Sequence, residues 1–367
     1  MRKSSFALAV ILFLVMICLV REGVAQVQSP NSSPYSTVEI DQLQAEAQAG
    51  DPTAQLDLGK AYENGHGVPQ SDRQAVKWYR AAAEQGNATA QNNLGLMFRI
   101  GRGVEQDKAE AVKWYRKAAR QENPGAMFNL ATSYYNGDGI AIDDVAAYAW
   151  FLLAQKFGSQ PAADATKRMK EEARTPQSEA FEKIGDMYQK GDDLPQSSTG
   201  AVNWYRKAAE DGAAPVQIKL ASLLLQGQNA TSNYGEVYRL CEKAAGLHFP
   251  SGSYCMGQLY EKGLGVERDP PKAAKWFTEA AGMGVGVAAL RLGEMYWKGE
   301  GLKQDKISAY AFIYLASTPD LPEAAQERER LEKELTPKEV AKGKAKAVEW
   351  SRQQRPLVLK GKLPTAN

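Results

Sequence analysis

One position in this chain is glycine seven times at regular spacing: Gly65, Gly101, Gly137, Gly191, Gly227, Gly263 and Gly299. Steps of 36 residues separate them, except the step from Gly137 to Gly191, which is longer by half a repeat. The same offsets relate Leu58-Gly59-Lys60-Ala61-Tyr62 to Leu94-Gly95-Leu96-Met97-Phe98, and Ala75-Val76-Lys77-Trp78-Tyr79-Arg80 to Ala111-Val112-Lys113-Trp114-Tyr115-Arg116. Seven repeats follow, at 51–86, 87–122, 123–158, 177–212, 213–248, 249–284 and 285–320, with residues 159–176 inserted between the third and fourth. A unit of this length cannot bury its own apolar face. It must stack on copies of itself, which restricts the chain to a solenoid.

Each repeat reads as helix A, a tight turn and helix B. The sevenfold glycine follows a helical pattern and fits a left-handed residue just past the helix end. Two residues on stand Gly67, Gly103, Gly139, Asp193, Asn229, Gly265 and Gly301, the residue types that best tolerate positive φ. Helix B then opens at Ser71, Asp107, Asp143, Ser197, Asn233, Asp269 and Asp305, each able to cap an unpaired amide. Helix A buries Leu58 and Tyr62 and their equivalents, and Gly59, Gly95, Ala131, Gly185, Ala221, Gly257 and Gly293 let a neighbouring helix approach. Helix B carries Ala75, Trp78, Tyr79 and Ala82 on one apolar stripe. Its recurring aromatic, Trp78, Trp114, Trp150, Trp204 and Trp276, with Phe312 and Leu240 in the same column, reads as core rather than as a ligand-stacking ladder.

Composition narrows the function. Forty-five Lys and Arg balance 43 Asp and Glu, which is no basis for nucleic-acid binding. Two His and three Cys nearly exclude a zinc site with several ligands. Arg2 and Lys3, the apolar run Phe6–Val20 and the small residues Gly23-Val24-Ala25 read as a signal peptide over residues 1–25, cleaved after Ala25. The alternative is an inner-membrane anchor at residues 6–20, for which that run is short. No stable membrane span is expected after cleavage. Residues 26–50, rich in Ser, Pro and Gln at their start, read as a flexible leader. The insertion 159–176 and residues 321–367 read as caps, since Pro161–Arg174 and Pro322–Leu335 are both charged amphipathic segments leading to Thr-Pro. From Lys338 on, eight basic and two acidic residues make a basic tail, solvated or turned to an acidic partner.

The pattern Leu-Gly, then Gly-x-Gly-Val at Gly65-His66-Gly67-Val68, then Ala111-Val112-Lys113-Trp114-Tyr115-Arg116-Lys117-Ala118-Ala119, resembles the Sel-one-like repeat, a relative of the tetratricopeptide repeat. The resemblance covers seven copies and departs most in the fifth, where Leu240 and Cys241 replace Trp-Tyr. It implies an all-α, right-handed α-solenoid superhelix of seven helix-turn-helix repeats with capping helices. It also implies an adaptor class: envelope signalling, assembly of surface polymers or host interaction. Some cysteine-rich relatives carry a β-lactamase label, and those cysteine-rich members link adjacent helices by disulfides at closer spacing than that between Cys241 and Cys255. Cys241 and Cys255 are therefore read as a disulfide or as two buried thiols.

No catalytic or cofactor motif stands out: no His-Glu-x-x-His, phosphate loop, Gly-x-Ser-x-Gly or Ser-x-x-Lys. His66 and His248 recur in no other repeat and read as ordinary polar residues. The sequons at Asn31, Asn87 and Asn229 matter only in a eukaryotic secretory pathway, and the repeat register alone accounts for Asn87. The surface of helix A, by contrast, varies while the core does not. Asn93, Arg99, Asn129, Tyr135, Arg291 and Trp297 are the candidate partner contacts in an expected concave groove. Tyr135 and Trp297 are either anchors or covers over neighbouring helices. The function expected is a non-enzymatic scaffold for a protein or peptide. The alternatives are a cell-wall hydrolase or β-lactamase, and a secretory quality-control adaptor.

Overall fold

The computed structural model describes residues 37–172, 177–226 and 230–359. Among them are eighteen helices and no strand. The chain divides into two compact units, residues 1–107 and 108–367. The described part of the first holds α1 (Thr37–Gln48), α2 (Pro52–Asn64), α3 (Asp72–Glu84) and α4 (Ala88–Ile100). The second runs α5 (Lys108–Ala119), α6 (Pro124–Asn136), α7 (Asp144–Lys156), α8 (Gln160–Glu171), α9 (Gln177–Lys190), α10 (Ser198–Asp211) and α11 (Ala214–Gln226). It continues through α12 (Ala230–Gly246), α13 (Pro250–Lys262), α14 (Pro270–Gly282), α15 (Gly286–Lys298), α16 (Lys306–Ala316), α17 (Pro322–Glu334) and α18 (Pro337–Leu359). The expected signal peptide and Gly227 and Asn229 lie outside the described residues.

The turn glycines have the expected cause. Gly65, Gly101, Gly137, Gly191, Gly263 and Gly299 have φ between 69° and 75°. That left-handed backbone lets each helix-ending amide bond back into the helix. Five residues further on, a long side chain closes the same turn. Gln70, Gln106, Gln196 and Gln304 donate Nε2, and Arg268 donates Nε, to a carbonyl near the end of helix A at 2.7–3.0 Å. Helix B starts on side-chain caps: Ser71 to the Gln74 amide at 3.3 Å, Asp143 to Ala146 at 2.7 Å, Asp269 to Lys272 at 3.0 Å. Asp193 is no left-handed residue, since its φ is not positive. Its carboxylate instead lies 3.6 Å from Arg116 Nε. Among the described residues the left-handed non-glycines are Glu122 and His248, in the second turn, where Gly86, Gly158 and Gly284 stand in other repeats. His248 is thus a backbone-conformation residue. The fifth repeat drifts furthest: α12 already runs from Ala230, so Asn233 lies inside the helix rather than capping it.

The tryptophan column is less central than expected. Trp150 is fully enclosed and Trp114 and Trp204 are buried, but Trp78 and Trp276 are only half-buried. In the other repeats the deepest slot is the next residue: Tyr79, Tyr115, Tyr205, Cys241, Phe277 and Ile313 are all at most 1% exposed, while in the third repeat Trp150 lies deeper than Phe151. The small residue of helix A makes that slot. A Cβ on Gly59, Gly185, Gly257 or Gly293 would fall 2.5–2.6 Å from Tyr79, Tyr205, Phe277 or Ile313. The tryptophan beside it packs toward the edge of the stripe, as Trp78 does at the rim of Ala47, Ala54 and Leu58.

Residues 37–48 are helical and not a flexible leader. Ile40, Leu43 and Ala47 recur at three- and four-residue spacing. Ile40 packs with Ala61 and Val68, and Ala47 with Ala54 and Leu58. The insertion folds as α8, burying Ala162, Ala165, Thr166 and Met169 against α7. α17 buries Ala324 and Leu331, which stand at one common offset from Ala162 and Met169. α8 does not end the stack, because α9 also packs on α7, with Lys183 Nζ 2.7 Å from Asp143 and Gln177 donating to the Tyr148 hydroxyl at 3.2 Å. The described part of the basic tail is likewise docked, as the helix α18 on α16. Ala347 is fully buried, Gly343 abuts Tyr310, and Trp350 meets Phe312 edge-on at 5.1 Å.

Candidate functional site

Helix A buries an apolar stripe against its hairpin partner and carries a mostly polar face beside it. Three columns at the repeat offsets make up that polar face. They hold Asp57, Asn93, Asn129, Lys183, Lys219, Cys255 and Arg291; then Lys60, Leu96, Thr132, Asp186, Ser222, Gln258 and Glu294; then Glu63, Arg99, Tyr135, Gln189, Leu225, Glu261 and Trp297.

In the first unit this face is tied down by charge. Lys60 Nζ is 2.9 Å from Asp57. The Tyr79 hydroxyl donates to Glu63 Oε2 at 2.6 Å, and Arg102 pairs with both Glu63 and Asp72. Burial, reinforced by Glu63, pushes the Tyr79 hydroxyl far above its ordinary value, and the Asn93 side chain bonds the same hydroxyl. Arg99 is half-buried, its carbonyl taken by Gln106.

The second unit repeats the device across successive A helices. Lys219 of α11 reaches Glu182 at 2.5 Å and Asp186 at 3.3 Å on α9. Arg291 of α15 reaches Glu261 of α13 and Glu294 of its own helix, both at 2.6 Å. Burial alone would lower both cations, but these carboxylates outweigh it and hold them above their ordinary values. The Tyr205 hydroxyl lies 2.6 Å from both Asp186 and Gln189. Each row therefore joins two repeats through a partly exposed ion pair, worth about 0–1 kcal/mol for folding. The face is charged, ordered and still open to solvent.

Of the expected contacts, Arg291 sits in this ladder. Asn129 and Tyr135 are half-buried on α6. Trp297 covers neighbouring helices: it packs on Tyr310, Ile313, Leu331 and Leu335, with Lys306 Nζ and the Arg330 guanidinium 5.1 and 5.4 Å from its ring. The ladder members Glu182, Asp186, Lys219 and Glu261 were not singled out from sequence, although Lys219 and Glu261 occupy the very columns that hold Asn93, Tyr135 and Arg291. Cys255 stands in the same column as Arg291 and forms a disulfide with Cys241, Cα to Cα 5.8 Å, joining α12 to α13. The outcome is the cross-link and not two thiols. The adjacent helices bring the two Cα atoms within bridging reach.

Among the described residues no three His, Cys, Asp or Glu are grouped to hold a metal. Among them, too, no helix is long and apolar enough to cross a membrane.

The Sel1 repeat model matches residues 52–87, 88–123, 124–154, 179–212, 214–247, 251–285 and 286–318. An uncharacterized protein of Neisseria meningitidis serogroup B is 31% identical over 91 residues, 25% of this chain and 20% of that protein. The chitin synthase regulator SKT5 of Saccharomyces cerevisiae is 28% identical over 102 residues, 27% of this chain and 15% of that protein. The chain thus spans a fifth or less of these curated relatives. Among solved structures, a protective antigen of uropathogenic Escherichia coli with an SLR fold is 27% identical, covering 91% of this chain and 76% of that one at a TM-score of 0.45. A Sel1 repeat protein of Oxalobacter formigenes is 30% identical, covering 80% of each chain at a TM-score of 0.37.

Proposed function

The chain belongs to the Sel1 repeat family, and from that premise we propose that it is an exported, non-enzymatic adaptor that holds a protein partner on the polar face of its A helices. The family's fold is generally a scaffold for protein partners. The observation that carries the reading is the contrast within each repeat. The slot over Gly59, Gly185, Gly257 and Gly293 is always filled by a buried apolar or aromatic side chain. The outward columns change charge and size from copy to copy while remaining ordered by ion pairs. A surface that varies on a constant frame suits recognition. The yeast relative is named as a regulator of another protein, which fits the adaptor class.

Export rests on the signal peptide read at residues 1–25, with cleavage after Ala25, and the Cys241–Cys255 disulfide supports an oxidising compartment. The setting we favour is the bacterial envelope, in signalling, assembly or host contact.

The test is a photo-crosslinking side chain placed at 219 or 291 in cells, followed by affinity measurement with the captured protein. Lys219→Ala and Arg291→Ala should weaken that complex by about 1–3 kcal/mol. Melting should shift little, because exposed pairs contribute at most about 1 kcal/mol. Equal loss of folding and binding would make the ladder structural. Hydrolysis of a cell-wall or β-lactam substrate, abolished by one substitution that leaves folding intact, would replace the adaptor with an enzyme.

A further inference from the structure

A cleft of about 800 Å³ opens where the insertion interrupts the repeats, lined by Leu152, Gln155 and Lys156 of α7, Phe181 of α9, and Trp204 and Lys207 of α10 among others. Its size is that of a small-ligand or side-chain site. Its floor is aromatic: Phe181 and Trp204 lie 5.7 Å apart, centroid to centroid. Two ammonium groups converge on it. Lys207 Nζ stands 4.7 Å from the Trp204 centroid, the i, i+3 arrangement that Lys117 and Trp114 also make. Lys156 Nζ arrives from the preceding repeat, 5.8 Å from the same ring and 5.6 Å from Tyr188.

Lys156 ends helix B of the third repeat, just before the insertion. In the equivalent position stand Arg120 in the second repeat and Glu84 and Glu210 in the first and fourth. Because α8 follows α7, the end of α7 faces this junction rather than a regular next repeat. Arg206, also in the lining, is neutralised by Glu236 through two bonds of 2.7 and 2.9 Å. Glu210 supplies a carboxylate to the lining, yet among the described residues neither Lys156 nor Lys207 has a carboxylate within ion-pair distance. Two ammoniums held over one aromatic floor, beside an apolar wall of Leu152 and Phe181, lack only an anion. We propose that this cleft binds an acidic peptide segment, one carboxylate between Lys156 and Lys207 and a neighbouring aliphatic side chain against Leu152 and Phe181. The site lies on α7, α9 and α10 and does not depend on the helix A ladder.

The test uses fluorescence anisotropy on the full chain with three labelled decapeptides alternating leucine with glutamate, glutamine or lysine. The glutamate peptide should bind at least about tenfold more tightly than the other two. Lys156→Glu and Lys207→Glu should each weaken it by about tenfold or more, whereas Lys275→Glu, an exposed lysine on α14, should change it less than twofold. Circular dichroism melts establish that each variant is folded, and Lys156→Gln and Lys207→Gln serve where a reversal is not. No binding of the glutamate peptide at millimolar concentration overturns the proposal. So does equal binding of the glutamine peptide, or an equal loss in Lys275→Glu, which would mean diffuse electrostatic attraction.

Discussion

Two glycine-to-alanine changes on neighbouring helices should move stability in opposite directions. Gly257 lies mid-helix in α13, and a Cβ there would sit 2.5 Å from Phe277 Cε1 and 2.6 Å from Cδ1. Ordinary contact begins at 3.4 Å, so the ring must retreat by almost an ångström. It has nowhere to go: Phe277 is fully buried among Ala273, Ala280 and Leu292. Overpacking of this kind costs about 1–3 kcal/mol. Alanine in a helix interior returns about 1 kcal/mol relative to glycine. The net for Gly257→Ala is a loss of about 1 kcal/mol. Gly235 lies within α12, and nothing stands within 4 Å of its added Cβ. Only the propensity gain remains, so Gly235→Ala should stabilise by about 1 kcal/mol. Urea unfolding followed by circular dichroism reads both, with the denaturant slope checked for a change in cooperativity. Phe277→Leu should cost less in the Gly257→Ala background than alone, a coupling of about 0.5 kcal/mol or more. If Gly257→Ala stabilises as much as Gly235→Ala, the small residue of helix A does not make room for the ring, and the packing argument fails.

Removing the disulfide by Cys241→Ala with Cys255→Ala should cost about 3 kcal/mol, the chain-entropy value for a loop closed over 14 residues. Two thiols that alkylate in the unreduced, denatured protein, with no change of urea midpoint on reduction, would show that the bond is absent. The Asp305 carboxyl offers a pH test: burial pushes it up, but the Ser308 hydroxyl and amide and Lys346 outweigh that and hold it at about 2 against 3.8. A depressed carboxyl stabilises above its unfolded value, so Asp305→Asn should lower the urea midpoint at pH 7, and the gap to wild type should close as pH falls through about 2. A gap that persists unchanged below pH 2 would assign the effect to the helix cap's shape and not to its charge.

The turns were legible because they are local. Gly65 and its described equivalents take left-handed φ whatever surrounds them, and Ser71 and Asp143 cap the helix they begin. The core was legible only in part. The apolar stripe of helix B was visible, but not that Tyr79 outranks Trp78 in burial, since that depends on the ring meeting Gly59 across the hairpin. α1 was hidden for a similar reason: Ile40, Leu43 and Ala47 are few apolar residues in a polar segment, and they form a stripe only against α2. In the candidate site, Arg291 was read from its column. Glu182, Asp186 and Lys219 were not, because an ion pair between repeats depends on two helices 33 or more residues apart in sequence.

By itself, the sequence determined the all-α class, the seven repeats and the insertion, because the period, the positive-φ glycines and the caps are short-range constraints that each repeat satisfies alone. The tertiary structure decided what the repeats share. It joined Cys241 to Cys255, folded Trp297 under α17 and docked the basic tail as α18. It also aimed Lys156 at the ring of Trp204, in the next repeat. These are choices between groups distant in sequence, and only the stacking of helices sets the ångström-scale distances that decide them.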